Sequence, residues 1–433
     1  MVGLERKLHK LLKIYLERLR QTSLTMRKFL LLAIVFLFCC SSFSQGFALL
    51  SHQAIIDATW EKSIQPLLKI KYPDASEKEL KDAYSYLYGG ALMPDIGYSP
   101  FGSKMFTHLA HYVRTGDFIQ HMLDESRNIN EYAFSLGFLC HYMADKYGHS
   151  MGTNLAVPIL FPKLKEEHGD VIAYEEGCTE HTRVEFGFDV IQTAKGNYDL
   201  DAKHKFVSFK VSEPVLERAF KKTYGMELSE IFSSLPIAVE TFRFAVKQLI
   251  PELTKNAWRA RNAAILDLNP IADKKSYTQK FERKKYREEF GRPGLKSILF
   301  TVVLAIVPKI GPTKGLKYKE PDERVDKIFD ESFKAIVGNY SSSLEKLEAN
   351  KFRLENINFD TGKKTKPGTY QLEDDTYYQL LNKHRRNNFK ETDEALKKDF
   401  LAFYSDPAVL KRYKNKKCKL KKINESITAL SSR

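Results

Sequence analysis

Three residues of the types that bind metal ions recur at a spacing of four in one stretch of the chain: His141, Asp145 and His149. On a helix every fourth side chain lies on nearly the same face. Because a helix rises about 1.5 Å per residue, the two histidines would lie about 12 Å apart along its axis. Zinc–ligand bonds are only about 2 Å long, so one ion cannot easily bind both histidines. The spacing therefore favours more than one metal ion, with the Asp145 carboxylate bridging two of them.

Imidazole and carboxylate side chains occur at four further places in the same half of the chain. These places hold His52, Asp95, the neighbouring pair His108 and His111, and the pair His181 and Glu185, which are again four residues apart. Each of these alone is more often a packed or solvated side chain than a ligand. Together they supply nitrogen and carboxylate oxygen without thiolate, a mixture that zinc accepts.

These residues need elements to hold them, and the chain is predicted to be mainly helical. Apolar periodicity predicts helices over residues 53–68, 77–87, 129–149 and 229–253. Strand alternation is scarce. Residues 90–107, which include Asp95, are rich in Gly, Pro and Ser and are expected to form a long loop.

The N-terminal residues have the pattern of an export signal. Met26, Arg27 and Lys28 precede an apolar run over residues 29–40, which small residues follow up to Gly46. The run is shorter than the about 20 residues that a membrane-spanning helix needs. We therefore expect a cleaved signal peptide and a secreted or periplasmic protein, and we favour Met26 over Met1 as the start.

Charge and motifs narrow the function classes. The formal net charge is +15, and removal of residues 1–46, which hold eight Lys/Arg and two Asp/Glu, would leave about +9. This modest excess suits an anionic membrane surface or a phosphate-containing substrate. No Walker, Rossmann or G-x-S-x-G motif occurs in the sequence. Residues 298–307 are apolar and flanked by Lys296 and Lys309, which fits a buried core segment or a surface patch in contact with lipid.

The motifs around His111-Tyr112, Cys140 to His149 and His181 to Glu185 resemble those of the zinc-dependent phospholipase C family, which is related to the single-strand-specific zinc nucleases. The resemblance implies a multi-helix fold with a cluster of two or three zinc ions. It implies the following metal ligands: Phe47, His52, Asp95, His111, His141, Asp145, His149, His181 and Glu185. Phe47 is included because a mature N-terminal residue binds zinc in this family, and cleavage after Gly46 would expose it. An aromatic residue follows the family ligand, as Tyr112 does here, which favours His111 over His108.

One spacing departs from the bacterial phospholipases C. Only three residues separate Asp145 from His149, a spacing similar to that of the N-terminal domain of glycosylphosphatidylinositol-specific phospholipase D. The choice between C-type and D-type cleavage therefore stays open. In the expected chemistry, a zinc-activated hydroxide attacks phosphorus. Asp95 and Asp145 are the expected catalytic residues, with Asp95 taking a proton from the attacking water.

The predicted organisation has three parts: residues 1–46 as N-terminal extension and signal peptide, 47–273 as the phospholipase C-like domain, and 274–433 as a basic, mostly helical region of unknown role. The predicted function is hydrolysis of phospholipid head groups or another phosphodiester, with peripheral membrane contact and no specific nucleic-acid partner. The alternatives are a nuclease of single-stranded nucleic acid and a non-catalytic protein with a structural zinc cluster.

Overall fold

The computed structural model describes residues 49–99, 101–197, 209–278, 283–292, 294, 319–349 and 351–433. Over these residues the chain is almost entirely helical, which confirms the predicted mainly α fold class. The described strands are β1 (Ile357–Asn358) and β2 (Lys363–Lys364), which pair antiparallel in a short hairpin.

The α-helices are, in chain order, α1 (Leu49–Thr59), α2 (Gln65–Lys71), α3 (Glu77–Leu92), α4 (Lys104–Tyr112), α5 (Thr115–Asp124), α6 (Ile129–Gly148), α7 (Asn154–Leu160), α8 (Pro162–His168), α9 (Cys178–Ala194), α10 (Glu213–Tyr224), α11 (Leu235–Leu268), α12 (Lys274–Tyr277), α13 (Arg283–Phe290), α14 (Glu323–Glu348), α15 (Gln371–Arg386), α16 (Glu394–Ser405), α17 (Pro407–Arg412) and α18 (Lys417–Ser431). Turns of π-helix cover Trp60–Ile64 and His149–Thr153, and 3₁₀ turns cover Met93–Tyr98, Tyr174–Glu176 and Leu228–Glu230.

Helix α6 is the central element of the fold, and nearly all of its residues are buried. It begins at Ile129 and is capped by Asn128, whose side chain accepts hydrogen bonds from the backbone N–H groups of Asn130 and Glu131. Such a cap satisfies donors that the first helical turn leaves without partners. Apolar residues surround the whole helix rather than one face, which is the pattern of a helix buried on all sides.

Helices α3 and α6 pack unusually close together because glycines face each other where they cross. A Cβ atom added at Gly90 would lie 1.9 Å from the Phe134 carbonyl oxygen and 3.0 Å from the Cα atom of Gly137. No side chain larger than hydrogen fits at such a crossing. The close approach brings the C-terminal end of α3, and the 3₁₀ turn Met93–Tyr98 that follows it, against the middle of α6.

One apolar core runs from α1 to α18 through the described parts of the chain. Helix α14, beyond residue 273, packs against α6, and its Tyr340 hydroxyl donates to the carbonyl of Leu136 at 3.0 Å. The described segments on both sides of residue 273 therefore stabilise each other by shared burial. The division into regions at residues 46 and 273 stays a prediction.

The predicted helices have the following outcomes. Residues 53–68 lie within α1, the π-turn Trp60–Ile64 and α2; α3 extends five residues beyond the predicted end at 87; and α6 covers 129–148. The helix predicted over 229–253 starts later, at Leu235, and ends at Leu268. The prediction of a loop over residues 90–107 is wrong in part, because α3, a buried 3₁₀ turn and α4 occupy most of it.

No helix among the described residues is long and apolar enough to cross a bilayer. The apolar segment 298–307, the predicted signal peptide and Phe47 lie outside the described residues. Their interpretations stay predictions.

Candidate metal centre

The central side chain of the candidate site is Asp145, which is fully buried on α6. Its Oδ1 lies 3.4 Å from Nε2 of His52 and 3.9 Å from Nε2 of His149. Its Oδ2 lies 3.1 Å from Nε2 of His141 and 3.5 Å from Nε2 of His111. The two oxygens thus face different histidines, as a carboxylate that bridges two metal ions would.

Three groups of potential ligands meet around this carboxylate. They are His52, His141 and Asp145; Asp95, His111 and His141; and His149, His181 and Glu185. Within each group the ligand atoms lie within 4.8 Å of one another, and every member is buried. The structure therefore brings together all eight predicted ligands that it describes. It also places His141 and His149 in different groups, as the spacing along α6 predicted.

Helix α6 ends just before His149, where the backbone widens into the π-turn His149–Thr153. Such turns are rare and occur often at functional sites. Here the turn leads directly into α7, whose first residue, Asn154, contacts His181. The change of helical pitch thus lies where the chain passes from the second group of ligands to the third.

The segment that carries Asp95 is fixed to the helix that carries His111. The Thr107 hydroxyl on α4 donates to the carbonyl of Pro94 and accepts from the N–H of Gly97 at 2.8 Å. Oδ1 of Asp95 therefore comes within 3.4 Å of Nε2 of His111. The turn that carries Asp95, which composition predicted to be part of a long loop, is thus hydrogen-bonded on both sides of Asp95 to a single threonine.

Backbone carbonyls orient two of the histidine rings. Nδ1 of His111 lies 2.7 Å from the carbonyl oxygen of Thr107, and Nδ1 of His141 lies 2.8 Å from that of Ala91. Since a carbonyl oxygen only accepts, the proton of each neutral ring is on Nδ1. The lone pair of Nε2 then faces the Asp145 carboxylate in both cases, which is the arrangement that a metal-binding histidine needs.

Helix α9 carries two members of the third group, His181 and Glu185, and also supports the first group. His181, Glu185 and Asp189 are spaced by four along it, and all three are buried. Asp189 accepts hydrogen bonds from the backbone N–H groups of Leu50 and Ser51, at 3.1 and 2.8 Å. It thereby fixes the start of α1 directly before His52. Burial raises the pKa of Asp189 to about 7, although these hydrogen bonds oppose the shift.

The electrostatics of the site reflect three carboxylates buried close together. Burial, together with the charges of Asp145 and Asp95, raises the pKa of Glu185 well above its usual value. Burial would lower the pKa of His111, but Asp95 and Asp145 raise it to about 9. Burial would likewise raise the pKa of Asp145, yet His141 and its other histidine neighbours hold it well below its usual range. A cation among these carboxylates would remove their mutual repulsion.

Buried carboxylate oxygens without hydrogen-bond donors support the same conclusion. Among the described residues, no donor satisfies either oxygen of Asp145, Oδ1 of Asp95 or Oε2 of Glu185. Leaving a buried charged acceptor unsatisfied is costly, so such groups normally have a partner or coordinate a metal. Imidazole nitrogen and carboxylate oxygen are ligands that zinc accepts, and the residues present therefore fit zinc ions.

Several residues considered from the sequence lie outside the three groups. His108 is on α4 but belongs to none of them, and burial and the nearby His111 lower its pKa to about 4. Of the four aromatic residues that could stack nucleic-acid bases, Tyr98, Phe106 and Tyr112 are buried and Phe101 is exposed. His204, which belongs to none of the ligand motifs in the sequence, lies outside the described residues.

Sequence reasoning missed the contribution of the C-terminal region to this site. The ring of Phe359 lies 5.2 Å from that of His111 and 5.8 Å from that of His141. Oδ2 of Asp360 accepts from the hydroxyls of Tyr112 and Tyr370. The sequence indicated only a turn-rich loop over residues 360–368, and no local signal connects that loop with the histidines.

A buried centre of five histidines and three carboxylates on a mainly helical scaffold defines this molecule as a metal-binding helical protein of the kind that the sequence motifs indicated. Residues 51–234 match the family model for zinc-dependent phospholipase C, which supports the resemblance seen in the sequence motifs. The match covers less than half of the chain but includes all eight clustered residues. No curated protein and no solved structure shows a significant match to the chain.

Proposed function

We propose that the protein is a zinc-dependent phosphodiesterase that hydrolyses phospholipid head groups, with C-type cleavage as the leading expectation. The observation that carries this proposal is the position of Asp145 between three groups of ligands, within the segment that matches the phospholipase C family. The arrangement supports three zinc ions, two of which share Asp145.

Bound zinc would supply Lewis acidity, which lowers the pKa of water and offsets the negative charge that develops on a phosphodiester. The protein's own side chains hold and move the protons. Asp95 is 6% exposed, more than the other clustered residues, and this supports it as the carboxylate nearest to solvent. We expect its carboxylate to take the proton of the attacking water, and Asp145 to fix the relative positions of the ligand groups.

The test compares substrates with one preparation of zinc-loaded full-length protein. We expect release of a phosphorylated head group from phospholipid vesicles, with diacylglycerol left in the bilayer, and little cleavage of single-stranded DNA or RNA. Asp95→Asn should lower the rate about 10²–10⁴-fold, the usual contribution of a positioned base. Asp124→Asn, the same change at an exposed site on α5, is the matched control and should leave the rate unchanged.

The products distinguish the alternatives. Phosphatidic acid and a free head group would show D-type cleavage. Rapid hydrolysis of single-stranded nucleic acid with vesicles left intact would show that the protein is a nuclease and not a phospholipase. Zinc-loaded protein that cleaves neither substrate would favour a structural zinc cluster.

We also propose that the protein is exported and that its mature chain begins at Phe47. The support is the signal-like pattern of residues 26–46 and the five-residue spacing from Phe47 to His52. The free amine of Phe47 would then complete the ligands of the group that contains His52. Mass spectrometry of the exported protein should find Phe47 at the N-terminus; a start elsewhere with full zinc content would refute amine ligation.

A further inference from the structure

Residues 355–362, here called the strap, lie directly against the candidate metal centre although they are far from it in sequence. The backbone N–H of Phe359 donates to the carbonyl of His111 at 3.0 Å. The Thr115 hydroxyl donates to the carbonyl of Ile357 and accepts from its N–H, both at 2.9 Å. At the other end, a Cβ added at Gly362 would lie 2.4 Å from the carbonyl oxygen of Lys146. The strap is thus fixed to α4, α5 and α6.

The strap reaches the third group of ligands through one side chain, Asn154 at the start of α7. Nδ2 of Asn154 donates to the backbone carbonyl of Asp360 at 2.7 Å. Oδ1 of the same amide lies 2.8 Å from Nε2 of His181. Nδ1 of His181 lies 2.9 Å from Oε1 of Glu185, on the side of the third group. All three residues are buried.

The backbone carbonyl of Asp360 in the strap determines the direction of these hydrogen bonds. A backbone carbonyl can only accept, so it requires the NH₂ end of the Asn154 amide. The amide oxygen must then face His181, and it requires a proton on Nε2. A neutral imidazole carries one proton, so Nδ1 keeps its lone pair toward Glu185. With the amide reversed, Nε2 would accept instead, the proton would sit on Nδ1, and that lone pair would be lost.

We propose that Asn154 is a positioning residue that, anchored by the strap at Asp360, holds His181 in the tautomer whose Nδ1 binds the metal of the third group. The proposal rests on the function proposed above, because it assumes that this group binds an ion. It gives the C-terminal region a role in the centre: the family match ends at residue 234, but the orientation of one family ligand depends on residues 355–362.

The side chain of Asp360 adds a second anchor for the strap. Its Oδ2 accepts from Tyr112 on α4 and from Tyr370 beside α15. Hydrogen bonds to an ionised acceptor are stronger than those between neutral groups. Asp360→Ala would remove both bonds and loosen the segment whose carbonyl orients Asn154.

The test measures zinc affinity, tautomer and activity in variants of the full-length protein. Asn154→Leu keeps a similar volume but removes both hydrogen bonds. We expect it to lower the affinity for one of the bound zinc ions about 10–100-fold, the usual cost of losing an outer partner of a metal-binding histidine. Affinity for the others should stay unchanged. Nitrogen-15 NMR of the zinc-free protein should show the His181 proton on Nε2 in the wild type. In the variant it should show a mixture of the two neutral tautomers, with the proton on Nε2 in one and on Nδ1 in the other.

Asn154→Asp is the matched variant, since it keeps an oxygen acceptor for Nε2 of His181. Because it loses the donor to the Asp360 carbonyl but keeps this acceptor, it should lower the affinity less than Asn154→Leu does, and so separate the acceptor role from a general loss of packing. Asp360→Ala should lower the same affinity, and its effect should not add to that of Asn154→Leu, because both act through one hydrogen-bond path.

Wild-type affinity for every zinc ion in Asn154→Leu would overturn the proposal, as would an equal loss at all sites in both Asn154 variants. Additive effects of Asp360→Ala and Asn154→Leu would show that the strap does not act through Asn154. A wild-type protein that binds no zinc would instead refute the proposed function, so the two failures are distinguishable.

Discussion

Asp145→Asn is expected to remove more than one zinc equivalent from the protein and to abolish hydrolysis. In the structure the two oxygens of Asp145 face different histidines: Oδ1 faces His52 and Oδ2 faces His141. Asparagine supplies one neutral oxygen. Its NH₂ end has only hydrogen-bond donors and cannot bind a metal, yet it would face one of the ligand groups. We expect the affinity of both adjoining sites to fall by more than about 100-fold, because losing even an outer partner costs up to that much. Zinc content is measured by elemental analysis after dialysis.

Two variants control for nonspecific effects. Asp124→Asn makes the same chemical change on an exposed surface, and His121→Ala removes a histidine that contacts Thr223 rather than the centre. Both should keep the full zinc content. Equal zinc loss in Asp145→Asn and in either control would show that Asp145 does not hold the centre together.

Removing zinc with a chelator should abolish activity and lower the thermal unfolding midpoint. Among the described residues, no donor reaches several buried carboxylate oxygens of the centre, and burial with neighbouring negative charge raises the pKa of Glu185. An ion that binds only the folded state adds about 4 kcal/mol at a free concentration 1,000 times its dissociation constant. For a chain of this size we expect the midpoint to fall by roughly 4–5 °C for each ion removed, as followed by calorimetry.

Zinc should restore both properties, and magnesium should restore neither. Five of the eight clustered ligands are histidines, whereas magnesium prefers oxygen in near-octahedral geometry. An unfolding midpoint that does not change on chelation, with activity retained, would contradict a metal-dependent site.

The part of the centre that lies on two helices could be predicted from sequence because helical periodicity is local. A spacing of four places Asp145 between His141 and His149, and it pairs His181 with Glu185, wherever the rest of the chain goes. The structure confirms that each pair lies together. Long helices with strong apolar patterns, above all α6, were predictable for the same reason.

The segment around Asp95 shows where local reasoning is insufficient. Gly, Pro and Ser over residues 90–107 are typical of a loop. In the structure Gly90 serves close packing of α3 on α6, and Thr107 pins the turn that carries Asp95. Both roles depend on contacts between helices, which composition does not reveal.

The strap could not be predicted, because its role depends on contacts across more than 200 residues. Asn154 contacts Asp360 at a sequence separation of 206, and Tyr112 contacts it at a separation of 248. Nothing in the turn-rich sequence near Asp360 indicates that its backbone carbonyl determines the orientation of an amide beside His181. Only the folded chain brings these groups together.

Diffraction from crystals of the zinc-loaded protein, collected on both sides of the zinc absorption edge, tests the central claim most directly. We predict three anomalous peaks, one in each of the groups His52–His141–Asp145, Asp95–His111–His141 and His149–His181–Glu185, with Asp145 shared by two of the ions. Peaks that avoid these groups, or no peak in a protein that still hydrolyses phospholipid, would contradict the account.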